Sequence, residues 1–87
     1  MKRVIVYSTQ ICPSCIRAKL LLEARAIPFE SIDVTGDAEA RARLVAMTGR
    51  RTVPQIFIGD EAIGGFDSLA ALDRSGELRK KLADDPT

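Results

Sequence analysis

Apolar and polar positions follow two different periods along this chain, and each change of period marks an element. Val4-Ile5-Val6-Tyr7 is an apolar run with the β-branched character of a buried strand, predicted over 3–8. Ser8-Thr9-Gln10-Ile11 breaks that run. Ile16, Leu20, Ala24 and Ile27 then recur at helical spacing among good helix formers, predicting a helix over roughly 13–26 with Pro13 in its first turn. Pro28 stops the helix, and Phe29 to Val34 alternates as a second strand. Strand, helix and strand in that space make a right-handed βαβ unit with parallel strands.

Thr35-Gly36-Asp37 is a turn that offers Asp37 as the N-cap of a second helix. That helix runs to about Thr48, with Ala40, Leu44, Val45 and Thr48 on one face and Gly49 closing it. Gln55-Ile56-Phe57-Ile58 and Glu61-Ala62-Ile63 flank Gly59-Asp60, a two-residue link that reads as a tight hairpin. Gly64-Gly65 ends the hairpin, and Phe66-Asp67-Ser68 opens a third helix carrying Leu69 and Leu72. Gly76 punctuates it, a last turn holds Leu78 and Leu82, and residues 84–87 are expected to fray. The order βαβαββα is that of an α/β protein with a four-stranded mixed sheet and helices on both faces.

Composition narrows this picture without redirecting it. Eighty-seven residues make one domain, 1–87, which by area scaling buries roughly 63% of its unfolded surface. The net charge is +1 with basic and acidic residues interspersed, so no nucleic-acid partner is implied. No stretch approaches the ~20 apolar residues of a membrane span. Met1-Lys2-Arg3 resembles the start of a signal peptide, but the apolar run after it is too short for one. A cytoplasmic setting is therefore expected, where a lone CxxC is more often catalytic than structural.

The candidate chemistry is Cys12-Pro13-Ser14-Cys15, which contains both cysteines of the chain. A strand, a short loop and a helix place Cys12 at a helix N-terminus and Cys15 one turn inside. Free N–H groups and the positive end of the helix dipole stabilise an anion, which favours the Cys12 thiolate. A thiol of pKa near 8.5 is about 3% ionised at pH 7, whereas one near 7 is about half ionised. Cys12 therefore reads as the nucleophile and Cys15 as the resolving thiol. Three other readings stand beside this one: a structural disulfide, two inert core thiols, and a zinc site. The disulfide would close too short a loop to constrain the unfolded chain much. The zinc site would need a dimer to pool two pairs, because the chain has no histidine.

With CxxC after the first strand and Thr52-Val53-Pro54 before the third, the chain resembles the thioredoxin fold and, within it, the dithiol glutaredoxins. Three segments carry the resemblance: Cys12 to Cys15, Thr52-Val53-Pro54-Gln55-Ile56-Phe57-Ile58, and Ile63-Gly64-Gly65-Phe66-Asp67. It implies a glutathione-dependent thiol–disulfide oxidoreductase acting on disulfide-containing or glutathionylated proteins, as a monomer, with glutathione as reducing co-substrate and no bound cofactor or metal. Pro54 would be a cis-proline facing the cysteines, where residue statistics alone favour a strand-initiating trans-proline. The Val53 backbone, with Thr52 beside it, would pair with the cysteinyl part of glutathione.

Asp67 and Ser68 would hold the γ-glutamyl end, with Gly64 and Gly65 allowing close approach. A plain turn and a capping pair are the structural alternatives there. Arg51 and Arg41 would meet the glycine carboxylate, or be solvated charges, while Arg50 reads as surface. Many glutaredoxins have tyrosine at the position of Ser14, lysine at that of Thr9 and an acid at that of Ser68; these departures imply a weaker grip on glutathione. They motivate a second reading, a redoxin reduced by a thioredoxin reductase. A third reading is a dimeric iron–sulfur cluster carrier using Cys12 of two subunits, against which Pro13 counts. A plain interaction module, with an unreactive Cys12, is the remaining alternative.

Overall fold

The first apolar run becomes the middle of the sheet. In the computed structural model, which describes residues 1–83, β1 (Val4–Ser8) lies between β2 (Glu30–Asp33) and β3 (Gln55–Ile58). β4 (Glu61–Gly64) completes a four-stranded sheet in the order β2-β1-β3-β4. β1 pairs with β2 in parallel, as a βαβ unit requires, and with β3 antiparallel; β3 and β4 form the hairpin. Gly59 takes a left-handed φ of 59° at the hairpin turn, where a side chain would be strained. The tail at 84–87 lies outside the described residues.

Helices flank the sheet: α1 (Pro13–Ala24), α2 (Ala38–Thr48), α3 (Phe66–Ser75) and α4 (Glu77–Leu82). The expected last turn after Gly76 is thus a separate short helix. Its Leu78 and Leu82 enter the main core with Val4, Val6, Leu22, Ile56 and Leu69. α1 packs on α3 and β1, so this core lies between one face of the sheet and α1, α3 and α4. Truncating Leu22 or Leu69, both fully buried, would cost about 2–5 kcal/mol.

Two expectations for α1 need correction. The residues at helical spacing, Ile16 and Leu20, are exposed, and the helix instead buries Cys15, Ala18 and Leu22. Apolar residues lie on several sides of this helix, so their spacing does not single out the face that a small residue, Ala18, fits against the sheet. The helix also ends at Ala24, before Pro28 can act. Ala26 adopts a left-handed φ of 56°, its N–H bonds the Glu23 carbonyl, and that of Ile27 bonds the Leu22 carbonyl. This is a Schellman closure, locked by the buried side chain of Ile27. β2 spans two residues fewer than predicted and is an edge strand, exposed except at half-buried Ile32, so the expected in–out alternation is not realised within it.

Candidate redox site

The redox site is built on the start of α1. Cys12 is its N-cap, in extended conformation, and the Cys12 sulfur accepts the backbone N–H of Cys15 at 3.1 Å. Pro13 follows at the first helical position, where no N–H is needed. One turn on, Cys15 forms a disulfide with Cys12 across a Cα–Cα distance of 5.2 Å. Cys15 is 2% exposed and Cys12 8%, so the outer sulfur is the one an incoming reagent meets first. The first turn of α1 carries no acidic residue to oppose a thiolate.

The loop before Cys12 is tied to the end of β2. Thr35 accepts the N–H of Gln10 through its hydroxyl oxygen at 2.9 Å and donates its own N–H to Asp33 at 2.8 Å. The side-chain and then the backbone hydrogen bond from Thr35 hold the Asp33 carboxyl below its ordinary pKa.

Facing Cys12 is the loop before β3. The Val53–Pro54 bond is cis, and the Val53 carbonyl oxygen lies 3.7 Å from the Cys12 sulfur. Gln55 fastens this loop from below: its buried side-chain amide donates to the Thr52 carbonyl at 2.8 Å. Sequence reasoning treated Gln55 as an ordinary strand residue, and its neighbours in the chain give no sign of that tether.

Two adjoining clefts share Arg50, Thr52 and Val53, and the smaller reaches the cysteine motif through Ser14. The smaller, about 310 Å³, adds Ser14, Pro54, Gly65, Asp67 and Ser68. The larger, about 410 Å³, adds Arg41, Arg51 and an apolar floor that includes Leu44 and Val45. The sequence-predicted residues thus fall into two adjoining groups that meet at Thr52 and Val53. Arg50, read from sequence as surface, stands at the junction. A Cβ on Gly64 would come within 2.9 Å of the Ser68 hydroxyl and 3.9 Å of the Arg50 guanidinium, so glycine permits this approach.

α3 has Gly65 at its N-cap and no side-chain cap, which leaves its first N–H groups free of side-chain partners. Its first residues, Phe66, Asp67 and Ser68, line the smaller cleft. Among the described residues, Asp67 and Ser68 have no side-chain hydrogen-bond partner in the protein, and the guanidinium groups of Arg41, Arg50 and Arg51 have no carboxylate partner. Also among the described residues, no three His, Cys, Asp or Glu gather as a metal site, and no helix is long and apolar enough to cross a membrane.

The family model for glutaredoxin matches residues 4–63. A glutaredoxin of Pseudomonas aeruginosa is 47% identical over 83 residues, 95% of this chain and 99% of that protein. Glutaredoxin 3 of Escherichia coli K12 is 44% identical over 78 residues, 90% of this chain and 94% of its own. Among solved structures, the buckwheat glutaredoxin–glutathione complex superimposes with a TM-score of 0.85 at 33% identity, covering 93% of this chain and 76% of that one.

Proposed function

The chain belongs to the glutaredoxin family and is a thiol–disulfide oxidoreductase, and from that premise we propose that it is glutathione-dependent, with Cys12 as nucleophile and Cys15 as resolving thiol. The observation that carries the reading is the position of the Cys12 sulfur. It takes the Cys15 N–H at the head of α1 and faces the Val53 carbonyl where the two clefts meet.

In the reduced chain, the Cys12 thiolate attacks one sulfur of a substrate disulfide or glutathionylated protein; the other sulfur leaves as a thiolate and takes up a proton. Cys15 then displaces the bound sulfur, giving the Cys12–Cys15 disulfide, and two glutathiones restore the dithiol as they become glutathione disulfide. When the adduct on Cys12 is glutathionyl, a second glutathione can act in place of Cys15. No general base is required when the attacking sulfur is the thiolate, the form that the head of α1 favours.

Glutathione would lie across both clefts. The γ-glutamyl ammonium would meet Asp67, and its carboxylate the Ser68 hydroxyl and free N–H groups of α3. The cysteinyl backbone would pair with Val53, beside Thr52, Pro54 and Gly65, leaving the glycine carboxylate to Arg41 or Arg51. Such a monomer would act on disulfide-containing or glutathionylated proteins in a reducing, cytoplasmic setting.

The test is reduction of the oxidised chain, followed by NADPH consumption, with glutathione plus glutathione reductase in one arm and thioredoxin reductase in the other. Rapid turnover in the first arm is expected. Turnover in the second arm alone would remove glutathione from the account and leave the Cys12 chemistry standing.

A further inference from the structure

We infer that the larger cleft, between α2 and residues 50–53, seats the polypeptide of the target protein and selects chains with acidic and apolar side chains beside the reacting cysteine. This rests on the role proposed for Cys12. The first support is an imbalance of charge. The whole chain carries only +1, yet Arg41, Arg50 and Arg51 surround one cleft without a carboxylate partner among the described residues. Elsewhere among the described residues, Arg3, Arg25, Arg43, Lys80 and Lys81 are in ion pairs and Lys2, Arg17, Lys19, Arg74 and Arg79 are not. The distinction of this cleft is therefore that three arginines line one hollow whose lining holds no carboxylate. Three like charges around an apolar hollow raise the local potential for an anion.

Glutathione does not use up this supply. Its glycine carboxylate can be held by one guanidinium in a two-pronged contact, which leaves two arginines over. Nor has its terminal glycine a side chain to lay on Leu44 and Val45. A longer chain supplies both missing parts.

Geometry brings that chain to the cleft. The reacting sulfur must reach Cys12, 3.7 Å from the Val53 carbonyl, and Val53 lines the cleft. A strand pairing there advances about 3.3 Å per residue, so the residues next to the substrate cysteine fall among the arginines.

The test uses the reduced Cys15→Ser variant and homodimeric disulfides of the peptide Glu-Leu-Cys-Leu-Glu and of its Gln and Lys analogues. The Cys12 thiolate takes one peptide into a mixed disulfide and releases the other as thiolate, so no glutathione is needed. Each rate is divided by that of the same disulfide with 2-mercaptoethanol, which removes intrinsic reactivity. The normalised rate for the Glu peptide should exceed that for Gln by about tenfold at low ionic strength and that for Lys by more. The advantage should shrink severalfold near 0.5 M salt, where charges are screened within a few ångströms. Arg50→Gln, at an exposed position, should shrink it severalfold as well, and serine for leucine in the Glu peptide should slow exchange. Equal normalised rates, or a Glu preference untouched by salt and by Arg50→Gln, would overturn the selectivity alone. A Cys12 that exchanges with none of the peptides would overturn the proposed function and this inference with it.

Discussion

At the start of α2, Asp37 accepts the N–H of Ala40 at 3.0 Å; at the start of α1, Cys12 accepts that of Cys15 at 3.1 Å. The backbone task is the same, since each side chain satisfies an N–H that its helix leaves free. What surrounds the two caps differs. Asp37 is exposed and its side chain accepts only from its own helix among the described residues, whereas Cys12 is 8% exposed, is bonded to a second sulfur and faces the loop that carries Val53. A helix N-terminus is thus a common device, and it becomes a reaction centre when the capping atom is itself the reagent. The start of α3 is a third version: it has no side-chain cap, so its N–H groups remain available to a ligand.

The largest expected effect separates capping from chemistry. Cys12→Ser keeps a good N-cap, so thermal stability of the reduced chain should stay within about 1 kcal/mol while all turnover is lost. Cys15→Ser should lose the dithiol route but keep removal of glutathione from a glutathionylated peptide. Equal loss in both variants would eliminate the monothiol step. Next in size, Asp67→Ala at the uncapped start of α3 should raise KM for glutathione about tenfold with little change in kcat, about 1.4 kcal/mol of binding lost. A fall in kcat at unchanged KM would place Asp67 outside the glutathione site.

Smaller is the converse experiment on α2. Asp37→Ala should cost about 1 kcal/mol in denaturant unfolding and leave turnover within about twofold. Smallest is the tie behind Cys12. Because its hydrogen bonds from Thr35 lower the Asp33 pKa, the stability it contributes is present above the unfolded carboxylate value, about 3.9, and is lost as pH falls through the lower folded value. Acid unfolding of Asp33→Asn should therefore differ from the parent above about pH 4 and converge with it below. Parallel curves throughout would show that the carboxylate charge plays no part.

Much of the fold was legible because the signals were local. Asp37, Gly49 and Gly59 each mark an end or a turn through their own conformational preferences, and all three act as read. The first strand was legible for a similar reason, since four consecutive apolar residues suit the centre of a sheet. The buried face of α1 was not, because Cys15 and Ala18 are small and Ile16 and Leu20 imitate a core stripe. Its end was missed too, because alanine is an unusual residue for the left-handed closing position that Ala26 occupies.

For the site, the cysteine pair was evident from spacing, while the cis form of Val53–Pro54 was expected only from resemblance. The place of Arg50 between two clefts depends on α2, the loop before β3 and the start of α3 meeting in space. No local pattern carries that information.

The most direct test of the central claim is competition between the two sulfurs for one reagent. The reduced chain would be treated at pH 7 with less than one equivalent of iodoacetamide, and the label located by peptide mass spectrometry. If the head of α1 makes its cap the reagent, nearly all the label falls on Cys12 and little on Cys15. Equal labelling, or preference for Cys15, would contradict the claim that the start of α1 turns its own cap into the nucleophile.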